Sequence, residues 1–261
     1  MKIGIIGAGN MGGSIAVGLA SKGKAADLVL CDVNENTLAS YKAQYPAMTV
    51  STDNAAAVGD TDVIIVVVKP WLIDAVMTPL VAKIDFKRQI LISVVAGVSL
   101  DHLASYAGAD AEQSALFRMI PNLAIAQGES MTFLAQRGAS AAQVAAVSEL
   151  LGTVGDVMLI EERQMGACTA LSSCGIAYVM RYIRAATEGG VELGLYPDQA
   201  RRIMLQTMAG AVALLNATGR HPEEEIDRVT TPGGITIKGL NAMEANGFTN
   251  AVIAGIKASN K

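Results

Sequence analysis

Short aliphatic runs without polar alternation recur through the first 160 or so residues, separated by longer Ala-rich or amphipathic stretches. The runs at 2–6, 28–32, 63–67, 89–94, 115–119 and 156–160 carry β-branched and apolar side chains at consecutive positions. That pattern predicts strands of a parallel sheet covered on both faces, where no side chain meets water. Between them the spacing predicts helices over 11–22, 35–45, 71–82, 100–107 and 140–152. Pro70 is tolerated just ahead of the third, and the last opens on Ser140-Ala141-Ala142-Gln143, a capping box. Past residue 160 no strand pattern returns. Residues 163–193, 197–217 and 233–259 read as long helices, with Pro197 and Pro222 punctuating the first two connections. The expected architecture is α/β over residues 1–161, then an all-α unit over 162–261. Much of the segment from Ile176 to Val191 is apolar around most of its circumference, so it must be buried on nearly every side. A unit of this size cannot bury three such helices alone, and helices of a second subunit are the natural cover.

The first strand runs into Gly7-Ala8-Gly9-Asn10-Met11-Gly12, which fits G-x-G-x-x-G. The first glycine permits a tight turn, the second lets backbone approach a pyrophosphate, and the third lets the next helix pack on the strand. The motif is weak alone, but here a strand precedes it and a helix pattern follows, as a Rossmann-type dinucleotide-binding domain requires. Asp32 closes the next apolar run, twenty positions beyond Gly12, where a carboxylate would accept hydrogen bonds from an adenosine ribose. Such a carboxylate repels a 2′-phosphate. Glu35 adds a second acidic group and no basic residue appears before Lys42, so a preference for NADH over NADPH is expected, short of exclusivity. The alternative for Asp32 is a cap on the following helix, a role Asn34 could also fill.

Composition narrows the partners. The net charge is −4 with no basic block, which gives nucleic acid no support, and the longest aliphatic run, Val63 to Val68, is far too short to cross a membrane. Three cysteines and two histidines lack metal-ligand spacing, so no metal is expected. Lys2 and the apolar residues after it could suggest a signal peptide, but the glycines and Asn10 interrupt the stretch, and cytoplasmic residence is the default.

Rossmann-type sheets bind ligands beyond the carboxyl ends of their strands. Val68-Lys69-Pro70, Val94-Val95-Ala96-Gly97 and Arg118-Met119-Ile120-Pro121-Asn122 therefore hold candidates. Lys69 is either a cofactor contact or a strand-end residue reaching solvent; the Asn122 amide suits a ribose hydroxyl or a carboxamide, or else caps a turn. Two stretches stand out in the helical half. Thr169-Ala170-Leu171-Ser172-Ser173-Cys174-Gly175 gathers hydroxyl and thiol groups that helix interiors seldom collect. Thr230-Thr231-Pro232-Gly233-Gly234-Ile235-Thr236 is a glycine turn opening a helix, either a nest for a carboxylate or phosphate or an ordinary capped turn.

Taken in order, Gly-x-Gly-x-Met-Gly at 7–12, Val-Lys-Pro at 68–70, Ala-Gly-Val at 96–98, Pro-Asn at 121–122, Gly175-x-Ala177-Tyr178 and Thr231-Pro-Gly-Gly-x-Thr236 resemble pyrroline-5-carboxylate reductase over nearly the whole chain. The resemblance implies reduction of the C=N bond of 1-pyrroline-5-carboxylate by NAD(P)H to give L-proline, and an interlocked homodimer that can assemble further. It implies that Gly7, Gly9, Asn10, Met11 and Gly12 hold the pyrophosphate region and that Lys69, Ala96 and Asn122 line the nicotinamide side. Thr169 would place a hydroxyl near the substrate ring nitrogen, and the turn Gly233, Gly234, Ile235, Thr236, from the partner subunit, would cradle the carboxylate. The usual Met-Pro-Asn-Thr-Pro stands here as Ile120-Pro121-Asn122-Leu123-Ala124, and Gly-Ser-Gly-Pro-Ala-Tyr as Ser173-Cys174-Gly175-Ile176-Ala177-Tyr178. Ile235 occupies a position more often small or hydroxylic. A reductase of a related imine or β-hydroxyacid on the same plan, or a dinucleotide-binding sensor without turnover, are the alternatives.

Overall fold

The computed structural model describes residues 1–260 and falls into two compact units, Met1–Ser173 and Cys174–Lys261. The first unit holds eight strands: β1 (Ile3–Ile6), β2 (Leu28–Cys31), β3 (Thr49–Ser51), β4 (Val63–Val66), β5 (Ile90–Ser93), β6 (Ala115–Ile120), β7 (Ser130–Arg137) and β8 (Gly155–Leu159). They form one sheet in the order β3-β2-β1-β4-β5-β6-β7-β8. Every neighbouring pair is parallel except β6 and β7. The chain leaves β1 toward β2 and β3, then returns to lay β4 on the other side of β1. The strand order reverses there, and ligands of such sheets bind at that point.

The unit's helices are α1 (Asn10–Leu19), α2 (Glu35–Gln44), α3 (Ile73–Met77), α4 (Leu100–Ala107), α5 (Ala141–Gly152) and α6 (Met165–Cys168). Two apolar clusters sandwich the sheet. Ile3, Ile5, Val63, Ile65 and Phe117 pack against Ile15 and Leu19 of α1 and Leu151 of α5. The intervening Ile6, Ile64, Val66 and Leu116 pack with Ile73 and Met77 of α3 and Leu103 of α4. Successive strand residues face opposite sides, so covering both sides is what makes the runs continuously apolar.

Three departures from the sequence pattern have local causes. β3 is a three-residue edge strand, partly exposed, and too short and polar to register as a strand. The eight-residue β7 is a strand that the pattern does not predict, although its central residues are buried and it pairs antiparallel with β6. The helix expected over 71–82 stops at Met77, because Pro79 cannot continue it. The capping box at Ser140 forms as expected, with the Gln143 N–H reaching the serine hydroxyl and the Gln143 side chain accepting the Ser140 N–H.

The second unit comprises α7 (Gly175–Glu192), α8 (Pro197–Thr218), α9 (Pro222–Val229), α10 (Ile235–Ala245) and α11 (Phe248–Ala258). The run 233–259 is thus two helices, broken at Gly247, whose φ of +80° suits glycine. α9 follows Pro222 where a connection was expected. α7 packs on α8, closely enough that a Cβ at Gly190 would lie 3.0 Å from that of Ala200. Among the described residues of this unit, Ala200 alone is buried. No described helix of either unit is long and apolar enough to cross a membrane.

Candidate cofactor and substrate site

β1, β4, β5 and β6 are adjacent and parallel, so the segments that follow them emerge on one edge of the sheet. The glycine turn, Lys69, Ala96 and Asn122 lie in those segments, and Asp32 follows β2 on the same edge. After β1 the backbone turns at Gly7 with φ +104°. A Cβ on Gly7 would meet the Val67 carbonyl oxygen at 2.2 Å, and one on Gly12 would meet the Gly7 carbonyl oxygen at 1.9 Å. Both glycines are required by close packing. Gly9 differs, since nothing lies within 4 Å of its missing Cβ. It is the N-cap of α1, no side chain caps the helix there, and no acidic residue sits in its first turn. The free N–H groups of that turn face open space across a glycine, a donor set that fits a pyrophosphate.

Asp32 is half-buried and its carboxylate turns toward this cradle. Oδ2 accepts the Ala8 N–H at 2.7 Å and Oδ1 accepts the Asn34 N–H at 2.9 Å. Asn34, and not Asp32, caps α2 by accepting the Thr37 N–H. Lys42, the first cation after Asp32, donates to the carbonyls of Pro46 and Met48 at 2.8 Å each. Lys69 is exposed and makes no ion pair among the described residues, and Ala96 is exposed beside Gly97 at φ +77°.

Asn122 is 8% exposed and tightly held. Its Oδ1 accepts the Ala124 N–H at 3.0 Å, its Nδ2 donates to Ser172 Oγ at 3.1 Å, and its own N–H donates to Ser130 Oγ at 3.2 Å. Turn capping is therefore what its side-chain oxygen does here, while one Nδ2 hydrogen stays unengaged. The hydroxyl-rich stretch forms a π turn over Thr169–Ser173, a widened helical turn that recurs at functional sites. Ser172 also lies 3.4 Å from the Met131 carbonyl, and Ser173 donates to the Pro121 carbonyl at 2.5 Å. The π turn is thereby bonded to the corner that carries Asn122. In the sequence Ser172 and Ser173 stand out only as part of a polar cluster, and no spacing points to Ser130. Thr169 Oγ1 donates back to the Met165 carbonyl at 2.7 Å, which leaves its lone pairs free to accept.

The edge offers little acid–base chemistry. Burial pushes the Cys31 thiol up to about 11 and raises that of Cys168, so neither is an activated nucleophile. His102 is engaged with Asp74 and Tyr106 on the surface between α3 and α4. What the edge supplies is oriented N–H groups, hydroxyls and one free lysine.

In the second unit, the turn before α10 carries Gly233 at φ +72°, with Gly234 as an extended N-cap. No side chain caps α10, its first turn has no acidic residue, and Ile235 is 87% exposed. A Cβ on Gly234 would lie 2.5 Å from Thr231 Oγ1. The two glycines thus serve different ends, Gly233 for its backbone angle and Gly234 for space.

A glycine turn opening a helix at the reversal point of a parallel-dominated sheet, followed by helices with no core of their own, defines a Rossmann-type dinucleotide-dependent oxidoreductase with a helical C-terminal unit. Residues 162–261 match the family model described as pyrroline-5-carboxylate reductase dimerisation, and residues 2–97 the one described as NADP oxidoreductase, coenzyme F420-dependent. Pyrroline-5-carboxylate reductase of Arabidopsis thaliana is 35% identical, covering 99% of this chain and 94% of its own length. Pyrroline-5-carboxylate reductase 1 of Dictyostelium discoideum is 38% identical over 98% of this chain, which spans 48% of that relative's length. The crystal structure of 1-pyrroline-5-carboxylate reductase from Streptococcus pyogenes superposes with a TM-score of 0.86 at 30% identity, covering 99% of this chain and 96% of that one. The chain belongs to the pyrroline-5-carboxylate reductase family.

Proposed function

We propose that this protein reduces 1-pyrroline-5-carboxylate to L-proline with a reduced nicotinamide dinucleotide, the last step of proline biosynthesis. The observation that carries the reading is the single sheet edge on which an open helix N-terminus, Lys69, Ala96 and Asn122 converge. The bound dinucleotide supplies the hydride. The N–H groups at Gly9 to Gly12 hold its pyrophosphate, Asp32 faces the adenosine ribose, and Lys69, Ala96 and the free Nδ2 hydrogen of Asn122 line the nicotinamide side. Thr169 is the hydroxyl at the substrate ring. With its hydrogen committed to Met165, Oγ1 accepts the N–H of a protonated imine and orients the C=N carbon. Hydride addition then sends the C=N electron pair to nitrogen and needs no proton from the protein, so positioning carries most of the rate. The turn Gly233 to Thr236, contributed by a second subunit, receives the substrate carboxylate on its N–H groups, with Ile235 against the ring.

The protein works as a homodimer, extensible to higher assemblies, through a unit beginning near residue 162, with residues 1–161 as the dinucleotide-binding domain. Three free cysteines accord with a cytoplasmic setting. NADH is preferred over NADPH, because Asp32 and the exposed Glu35 oppose a 2′-phosphate and Lys42 is held elsewhere. The test is the fall in nicotinamide absorbance with synthetic 1-pyrroline-5-carboxylate, run at equal NADH and NADPH. Turnover with NADH ahead supports both statements. Better use of NADPH overturns the preference alone. Dinucleotide binding without imine reduction overturns the reaction and favours a sensor or a related substrate.

A further inference from the structure

Asp32 makes contacts that a ribose-binding role does not need. Its Oδ2 reaches 24 residues back to the N–H of Ala8, which is 2% exposed and lies inside the glycine turn, between Gly7 and Gly9. The preceding N–H, that of Gly7, donates to the Cys31 carbonyl at 2.8 Å. Two successive N–H groups of the turn are therefore tied to two successive residues at the end of β2, one through backbone and one through a carboxylate. The backbone tie persists whatever side chain stands at 32. The carboxylate tie is charge-assisted, the stronger kind, and it depends on that side chain. Oδ1, on the Asn34 N–H, fixes the carboxylate's own orientation.

The far side of the same cradle is closed by α2. The Tyr41 hydroxyl fills the space over Gly13, where a Cβ would come within 1.8 Å of it, and its pKa is raised by burial and then by the charge of Asp32. The turn and the start of α1 are thus braced from the β2–α2 segment at two points. Of these the Asp32 bond is the one that acts on the Gly7–Ala8 peptide, one residue ahead of Gly9, where the cradle opens.

We propose that Asp32 is a positioning residue for the phosphate cradle: its carboxylate holds the turn at Ala8 in the conformation that aims the α1 N-terminus at a pyrophosphate, apart from any hydrogen bond it offers a ribose. The proposal rests on the dinucleotide-binding reading above. It separates from a ribose-only role because the pyrophosphate is common to both cofactors and because the clamp exists before any cofactor arrives.

Full-length wild-type protein, Asp32→Ala and Asp32→Asn are compared. Both substitutions remove the charge, but the Asn side chain keeps an oxygen that can accept the Ala8 N–H. Amide hydrogen exchange over residues 7–12 is measured without cofactor, and dissociation constants for NADPH and NADH are measured by nicotinamide fluorescence without imine. Exchange in this segment should be faster in Asp32→Ala and partly restored in Asp32→Asn. NADPH should bind Asp32→Asn on the order of 10-fold more tightly than Asp32→Ala. With imine present, the cofactor KM should rise in Asp32→Ala far more than kcat falls. Exchange in Asp32→Ala that matches wild type, or equal NADPH affinities in the two variants, overturns the clamp. Wild-type protein that binds neither dinucleotide overturns the dinucleotide reading and the proposal with it, whereas the variant pattern overturns the proposal alone.

Discussion

The two units solve the burial problem in opposite ways. In Met1–Ser173, helices cover both faces of a sheet, and residues such as Ile5, Ile64, Ile65 and Phe117 lose all contact with water. In the second unit, five helices leave Val179, Met180, Ile203, Val212, Phe248 and Ile253 each 40% or more exposed. Apolar area on that scale is not a stable solvent-facing surface. One unit contains its core, while the other presents half of one. Its match to a family dimerisation model gives the missing half an identity. A helix in a monomeric domain reveals its core by its buried stripe, but an interlocking helix reveals it only by the stripe's having nothing beneath it.

The sharpest way to break this contrast is Val179→Asp. On the exposed face of a self-sufficient domain it would be nearly silent, but at a subunit interface it buries an unpaired charge. Loss of the dimer, or of folding, is expected by sedimentation or size exclusion. A soluble assembly of native size would remove α7 from the interface.

Ile65→Ala is the counterpart in the first unit, where the side chain is fully buried between α1 and the sheet. It should cost about 2–5 kcal/mol in denaturant unfolding of that unit, and the dimer that remains should dissociate no more readily. A weakened dimer would show that the two cores are coupled.

The proposed chemistry divides along the same line. Thr169→Ala, in the first unit, should lower kcat by on the order of 10²-fold, the scale of a reacting atom left misplaced, with NADH affinity unchanged. Unaltered kinetics would take Thr169 out of the mechanism. Gly234→Val, in the second unit, should instead raise the imine KM by about 10-fold or more, a carboxylate's loss of charge-assisted N–H donors, with NADH binding intact. The cause is the clash with Thr231 Oγ1, since Gly234 has an ordinary backbone angle that any residue could adopt. Equal loss of imine and NADH affinity would mean misfolding. Ser140→Ala should have the smallest effect, about 1 kcal/mol of stability from the lost α5 cap, seen as a small fall in Tm without a change in activity.

What the sequence disclosed follows from what breaks a pattern. The glycine turn, the lone Lys69 after six apolar residues and the hydroxyl-rich stretches at 169–175 and 230–236 interrupt otherwise periodic segments, and all are where the chain turns or a helix opens. The strands of the parallel sheet were legible because burial on both faces leaves a continuous run. β7 leaves no such run because its ends are polar, with Ser130, Thr132, Gln136 and Arg137, although Ser130 and Thr132 are buried and bonded to each other. Pairings between distant residues left no trace in spacing. Asp32 on Ala8, Ser130 on Asn122 and Asn122 on Ser172 join positions 24, 8 and 50 apart, and only the folded backbone brings them together.

The lone antiparallel pair has a consequence in time. β6 and β7 are joined by the nine residues 121–129, whereas β1 pairs with β2 only across the 21 residues 7–27 and with β4 only across the 56 residues 7–62. By the logarithmic dependence of loop-closure entropy on length, the hairpin closure costs about 0.8 kcal/mol less than the first and about 1.6 kcal/mol less than the second. The β6–β7 hairpin should therefore be among the first long-lived contacts of the refolding chain, and pulse-labelled amides of residues 116–120 should gain protection ahead of those in β1. Pro121 and Asn122 lie in that hairpin's connection, so on this expectation the corner that holds Asn122 takes shape before the sheet it borders exists.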